Sequence, residues 1–216
     1  MTDQGTTLTD KAYRRLEEMI VTLHLPPGQV LSEAALTQSL GIGRTPVREA
    51  LQRLSMEGLV MILPRRGVLV SEINVSNQLE LLRVRREVER LMGVLAARRC
   101  SPAERTAMRR LAGAMEATAE TNDDVEFMRL DLQFNAQLAT SCRNEYARRT
   151  MGLMQGLSRR FWYQHYQQTL DLPRCARLHA ASAQAIADGD SEQAAVASDA
   201  LIDYIEEFTR ATLGRQ

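Results

Sequence analysis

Gly41-Ile42-Gly43-Arg44-Thr45-Pro46-Val47-Arg48-Glu49-Ala50-Leu51 runs on to Gly58, and Val60-Met61-Ile62-Leu63-Pro64-Arg65-Arg66-Gly67-Val68-Leu69-Val70 follows. In the first stretch Val47, Ala50, Leu51 and Leu54 fall at i, i+3, i+4 and i+7, the spacing of a helix face that packs on a core. Arg44, Arg48 and Gln52 step by four on a different face, so their donors stand together in solvent. Pro46 is acceptable in such a helix only within the first turn, and Gly58 can end it. The second stretch reads as two short β-branched strands around a Pro-Arg-Arg-Gly turn. An arginine-bearing helix followed by a hairpin tipped with two more arginines predicts a winged helix-turn-helix for DNA.

The residues before it complete the unit. Ala12, Leu16, Met19, Ile20 and Leu23 form a helical stripe that stops at Pro26-Pro27-Gly28. Ser32 can cap a second helix that buries Leu36 and Leu40 and ends at Gly41. The turn Gly41-Ile42-Gly43 then delivers the recognition helix, whose N-terminal residues reach base edges in a major groove.

These residues carry a family resemblance. Residues 13 to 70 resemble the N-terminal domain of GntR-type bacterial transcription regulators, through Pro27-Gly28, Ser32-Glu33, Arg44-Thr45-Pro46-Val47-Arg48-Glu49-Ala50-Leu51, Glu57-Gly58-Leu59-Val60 and Arg65-Arg66-Gly67. The resemblance implies DNA contacts from Arg44, Thr45 and Arg48, with Arg65, Arg66 and Gly67 placing the wing. Two positions depart from it. Gly43 stands where the family usually carries Ser, and Ala34 where it often carries Arg, so operator contacts are expected to be fewer or shifted.

At 216 residues with 44% hydrophobic composition, the chain can bury one large core or two modest ones. No apolar run is long enough to span a membrane, and Met-Thr-Asp-Gln-Gly lacks the basic-then-apolar pattern of a signal peptide. Cys100, Cys142 and Cys175 show no CxxC spacing, so reduced thiols and a cytoplasmic protein are expected. Net charge is zero, which argues against a nonspecific nucleic-acid coat. Its distribution says more: residues 44–66 carry Arg44, Arg48, Arg53, Arg65 and Arg66 against Glu49 and Glu57, while residues 188–207 carry seven acidic residues and no basic one. A basic patch on a neutral body suits a protein that reads one site, and a dimer doubles the patch.

After Val70 the composition changes. Residues 71–77 form a polar link, and from there to Arg210 no strand pattern appears. Ser101-Pro102-Ala103-Glu104 is a capping box with proline at the first helical position, Asn122-Asp123-Asp124 starts another helix, Pro173 interrupts the run, and Gly189-Asp190 separates the last two helices. The expected fold class is mostly α: a winged helix-turn-helix over 1–74 and an all-α bundle of about six helices over 75–216.

This bundle places polar groups among its apolar stripes. Phe127, Leu130, Asp131, Phe134, Asn135 and Leu138 share one face, and His179, Ser182 and Ile186 another. Arg83, Arg85, Arg86, Glu87 and Glu89 crowd the first bundle helix, where not all can reach water beside a buried seam. Unpaired buried polar groups cost about 1–3 kcal/mol each, so a bundle keeps them when they pair with each other, water or a ligand. A polar cavity is therefore expected.

Residues 77 to 210 resemble, more loosely, the all-helical effector domain of the fatty-acid-regulator-type subfamily. The likeness rests on Arg85 with Glu89, on Asp131-Leu132-Gln133-Phe134, and on His179 followed by Gly189-Asp190. It implies Arg85, Asp131, Asn135 and His179 as effector-binding residues. Many members hold a divalent metal with an Asp, a His four residues on, and two later histidines. Asp131 and His179 occupy the first and third of those places, but Asn135 stands in the second and Leu201 in the fourth. Two good ligands rarely hold zinc tightly, so the expected metal site is incomplete and weak at best.

The expected function is a ligand-responsive DNA-binding regulator: a homodimer on a short palindromic operator, with a small carboxylate metabolite as effector, because guanidinium matches carboxylate with two parallel hydrogen bonds. No catalytic residues are expected, and the one cofactor the resemblance implies is the divalent metal of the incomplete Asp131/His179 site. One rival is a helical metal-dependent enzyme fused to a DNA-binding head, which needs a filled ligand set or a nucleophile–base pair. Another is a constitutive DNA binder with an inert dimerisation bundle.

Overall fold

The computed structural model describes residues 7–169 and 171–212. Its contacts divide them into two compact units. One takes in the described residues through Asn74 together with Gly152–Gln168; the other holds Val75–Met151 and the described residues from Thr169 onward.

The first unit contains α1 (Leu8–Val21), β1 (Val30–Leu31), α2 (Glu33–Leu40), α3 (Arg44–Met56), β2 (Val60–Leu63) and β3 (Gly67–Val70). Each helix starts where its local chemistry dictates. Thr7 and Asp10 make a reciprocal capping box at α1, and the Ser32 hydroxyl accepts from the Ala35 N–H at α2. Gly41, at φ 64°, closes α2 in the left-handed conformation. The three antiparallel strands lie in the order β1-β3-β2, with Val60 opposite Val70 and Leu31 opposite Val68. Ala12, Leu16 and Ile20 of α1 meet Val47, Ala50, Leu51 and Leu54 of α3 in a core closed by Leu59, Val68 and Val70.

Two details differ from the sequence expectation. The stripe ending in Leu23 overshoots α1, which stops at Val21. Leu23 turns the chain at φ 61°, the Leu25 N–H donates to the Met19 carbonyl at 2.9 Å, and Leu25 is buried in the core. The second difference is β1, whose two residues are too few to show a period of two.

The second unit is built from α4 (Val75–Arg99), α5 (Pro102–Thr121), α6 (Asp124–Ser141), the start of α7 (Glu145–Thr169), α8 (Leu172–Asp188) and α9 (Ser191–Ala211). The fold class is thus mostly α, with a small sheet confined to the head. Ser101 with Glu104 caps α5, and Asp123, Asp171 and Asp190 cap α6, α8 and α9. Pro173 lies inside the first turn of α8, where its missing N–H is tolerated. α5 packs along α8 and α4 along α9. Gly93 of α4 faces Ala194 of α9, whose carbonyl oxygen would lie at an ordinary 3.5 Å from a Cβ there.

The remainder of α7 groups with the head. Leu157 packs on the head core, and a Cβ at Gly156 would fall 2.8 Å from Leu59 Cδ1. Arg159 pairs with Glu17 at 3.0 Å. Arg160 donates to the Ser71 and Glu72 carbonyls at 2.8 and 3.3 Å, and burial pushes its guanidinium down to about 10. His165 is buried with its ring 4.7 Å from that of Phe161. Among the described residues no helix is long and apolar enough to cross a membrane.

Candidate functional site

In the first unit, the apolar face of α3 is spent on the core, which leaves Arg44, Thr45 and Arg48 exposed along the opposite side. Arg65 and Arg66 are exposed at the tip of the β2–β3 hairpin, where Arg65 takes φ 62°. A groove of about 500 Å³ separates that tip from the start of α2, with Ser32, Glu33, Arg65 and Arg66 on its walls. Gly67 is half-buried at φ 105°, and a Cβ there would lie 2.5 Å from the Leu31 carbonyl oxygen. Only glycine lets β3 approach β1 so closely, and that approach fixes where the arginine tip stands.

Arg53 does not belong with this basic face, although it counts toward the local charge in the sequence. Its guanidinium lies 3.6 Å over the Tyr13 ring, Nε donates to Glu57 at 3.4 Å, and Nη1 sits 3.7 Å from Asp10. Burial pushes the Glu57 carboxyl up, against the lowering effect of hydrogen bonds from Tyr13 and Arg53. Glu49 likewise turns toward α1, accepting from the Thr9 hydroxyl at 2.6 Å. The two acidic residues counted against the patch are therefore held on the α1 side. Among the described residues, Arg48 alone of the basic-face arginines has an acidic partner on α2, Glu33 at 3.0 Å.

In the second unit the crowded charges of α4 sort by direction. Arg83 is exposed and pairs with Glu80, while Arg86 reaches Asp203 at 2.6 Å on α9. Arg85 and Glu89, one turn apart, are both buried, with Arg85 Nε donating to Glu89 Oε2 at 2.7 Å. Burial opposes charge on Arg85, but the Glu89 carboxylate together with Asp131 and Cys175 outweighs it, so the guanidinium is held above its ordinary range. Among the described residues, Arg85 makes this one hydrogen bond.

Asp131 and Asn135 of α6 and His179 of α8 come together as the sequence pattern suggests. His179 Nε2 lies 3.2 Å from Asp131 Oδ1, and the Asn135 amide donates to that same oxygen at 2.9 Å. His179 Nδ1 faces the Cys175 carbonyl at 2.9 Å, and the Phe127 and Phe134 rings meet the imidazole edge-on at 5.2 and 6.1 Å. Burial works against charge on His179, yet Cys175 and the hydrogen-bonded Asp131 carboxylate outweigh it and raise the imidazole well above its usual range. With both ring nitrogens facing acceptors, the imidazolium is the form that satisfies both contacts. The hydroxyl of Ser198, buried on α9, makes no hydrogen bond among the described residues.

These residues do not fit a tightly held divalent metal. With Nδ1 held by the Cys175 carbonyl, His179 Nε2 and the Asp131 carboxylate could face one ion, but two such ligands are too few to hold it tightly. The Asn135 amide is committed to Asp131, and Leu201, in the fourth place, is buried and offers no donor. Among the described residues no group of three His, Cys, Asp or Glu side chains could hold an ion.

Two features escape the sequence reading. The Glu33–Arg48 pair links residues fifteen apart on separate helices, which no periodicity reveals. Leu81, Val84, Val88, Leu91 and Leu95 alternate at spacings of three and four along α4, and Val84 and Leu91 stay 52% and 45% exposed. This heptad stripe was legible as spacing, but charges interleave it and mask it.

Comparison with known proteins agrees with this architecture. Residues 8–70 match the model described as bacterial regulatory proteins, gntR family, and residues 80–204 match the FCD domain. The chain is 41% identical over 85 residues to an uncharacterized HTH-type transcriptional regulator in an unstable DNA locus of Streptomyces ambofaciens, covering 39% of this chain and 36% of that one. It is 26% identical to the HTH-type regulator YdhC of Bacillus subtilis over 67% of this chain and 65% of the relative. The Nta operon transcriptional regulator of Aminobacter aminovorans is 28% identical, over 62% of this chain and 63% of its own length. The aligned segments thus span between about a third and two thirds of these relatives. The solved structure of E. coli McbR/YncC shares the fold, with a TM-score of 0.81 at 19% identity over 97% of this chain and 100% of that one.

Proposed function

Because the chain belongs to the GntR family of bacterial regulatory proteins and carries an FCD domain behind its head, we propose that it is a ligand-responsive transcription regulator, a homodimer that binds a short palindromic operator. The observation that carries this reading is the exposed face of α3 bearing Arg44, Thr45 and Arg48 beside a hairpin tipped with Arg65 and Arg66, on a head whose Glu49 and Glu57 are turned toward α1. Arginines at the start of a recognition helix supply base and phosphate contacts in the major groove, and the hairpin tip adds contacts beside it.

The homodimer is supported by the α4 stripe. Apolar residues at alternating spacings of three and four, left partly in water by their own chain, are the pattern with which one helix packs against another. A second copy of the same stripe is its simplest complement.

The effector we infer is a small carboxylate. Arg85 is buried and, among the described residues, donates only from Nε to Glu89, so its terminal nitrogens retain the forked geometry that a carboxylate accepts from. Asp131, Asn135 and His179, which bond to one another in this structure, exchange those bonds for the ligand's other polar groups. Binding would shift the placement of the two heads of the dimer and so change affinity for correctly spaced half-sites.

The test is DNA binding by Arg48→Ala, on a duplex enriched from a random pool by the wild-type chain. Specific affinity should fall by about 1–3 kcal/mol. Unchanged affinity in a folded variant would contradict the recognition-helix assignment. A thermal-shift screen of organic acids, sugar acids and divalent metals identifies the effector class.

A further inference from the structure

We propose that Glu33 is a specificity-determining residue: its carboxylate fixes the Arg48 guanidinium in the orientation that reads a guanine. The inference rests on the DNA-binding reading and adds to it a residue that contacts no base.

Glu33 is the first residue of α2, directly after the capping Ser32, and Arg48 lies in the second turn of α3. Arg48 Nε and Nη2 both donate to the same oxygen, Glu33 Oε2, at 3.3 and 3.0 Å. The side chains are 63% and 36% exposed, and an ion pair this open to water contributes little to fold stability. Glu33 also lines the groove below the Arg65-Arg66 tip, on a surface otherwise suited to phosphate. A carboxylate there repels a polyanion, so it weakens general DNA affinity unless it does something in return.

The geometry shows what that is. The pair occupies the Nε–Nη2 edge of Arg48 and sets the plane of the guanidinium. The remaining N–H groups of Nη1 and Nη2 form a fork directed away from Glu33. A fork held at that end matches guanine O6 and N7 with two parallel hydrogen bonds. A free arginine at this exposed position must lose its rotamer freedom at each binding event, and it can settle on phosphate instead of a base edge. Holding it in advance favours the base contact over the phosphate contact. Ala34, which follows Glu33, has no donor of its own, so the first turn of α2 acts on sequence through Arg48.

The experiment uses the full chain and a duplex enriched by the wild type from a random pool, beside a scrambled duplex of equal composition at the same salt. Glu33→Gln should bind the scrambled duplex as tightly as the wild type or more tightly, because a negative charge has gone. It should bind the enriched duplex on the order of ten-fold more weakly. Glu33→Asp keeps the charge but shortens the reach; it should leave the scrambled duplex unaffected and still lose discrimination. In an Arg48→Ala background, Glu33→Gln should change the ratio no further, since the two residues act as one unit. A preserved ratio in Glu33→Gln, an equal loss on both duplexes, or an undiminished effect without Arg48 would each overturn the proposal. A wild-type chain that enriches no sequence at all would instead overturn the DNA-binding reading on which it rests.

Discussion

At the residue scale, Arg85 and Glu89 show how a buried charge constrains any test of the effector site. Replacing Arg85 alone strands Glu89, which is 4% exposed, without its counter-ion. Arg85→Met is therefore expected to destabilise the protein by about 3–5 kcal/mol, while Arg85→Met with Glu89→Leu recovers most of that loss, because a buried pair can be exchanged for apolar groups of similar volume. Denaturant unfolding of both variants checks this; equal stability of the single variant and the wild type would mean that Glu89 is neutralised by another group. Effector binding should be lost in both. Arg53 and Arg48 make a related point. Charge counting groups them in one basic patch, but Tyr13 and Glu57 claim the first, and Glu33 orients the second.

At the scale of the element, α3 begins without the cap that the other head helices have. Gly43 has extended backbone and gives no side-chain hydrogen bond, and a Cβ there would meet only Pro46 Cδ at an ordinary 3.9 Å. Gly43→Ser should thus be accommodated and raise stability by a few tenths of a kcal/mol, roughly the difference between glycine and serine at such a position. Thermal unfolding reads it, and a lowered midpoint would show that the hydroxyl finds no N–H to accept from. Caps were what made the elements legible in the sequence: Ser32, Ser101 with Glu104, Asp123 and Asp190 each open a helix by bonds between residues two or three apart. The wing was equally plain, because Gly67 and Arg65 sit where the backbone must turn. What remained hidden depends on distant partners. The two residues of β1 become a strand only by pairing with β3, and α1 ends early because Leu25 folds back into the core. In the effector bundle, Asp131, Asn135 and His179 were recognisable as polar members of apolar stripes. That His179 would satisfy both ring nitrogens within the protein depends on α6 and α8 meeting, which sequence spacing does not encode.

At the scale of the molecule, the α4 stripe and the arginines of the head make a joint claim, since a palindromic operator requires two heads. Val84→Glu with Leu91→Glu places charges at the two exposed stripe positions and should convert a dimer into a folded monomer in analytical ultracentrifugation at micromolar concentration, with loss of tight operator binding. An unchanged dimer would place the interface elsewhere. The central claim is that a ligand in the helical bundle governs the affinity of the head for DNA, and one titration tests it most directly. Operator affinity of the wild-type protein is measured with and without a saturating organic acid found by thermal shift, at fixed salt. The account predicts a change in Kd of about 5- to 150-fold, the usual range of coupling between two sites on one protein, and no change in the Arg85→Met, Glu89→Leu variant. An operator affinity that stays constant while the ligand demonstrably saturates the wild-type protein would contradict it.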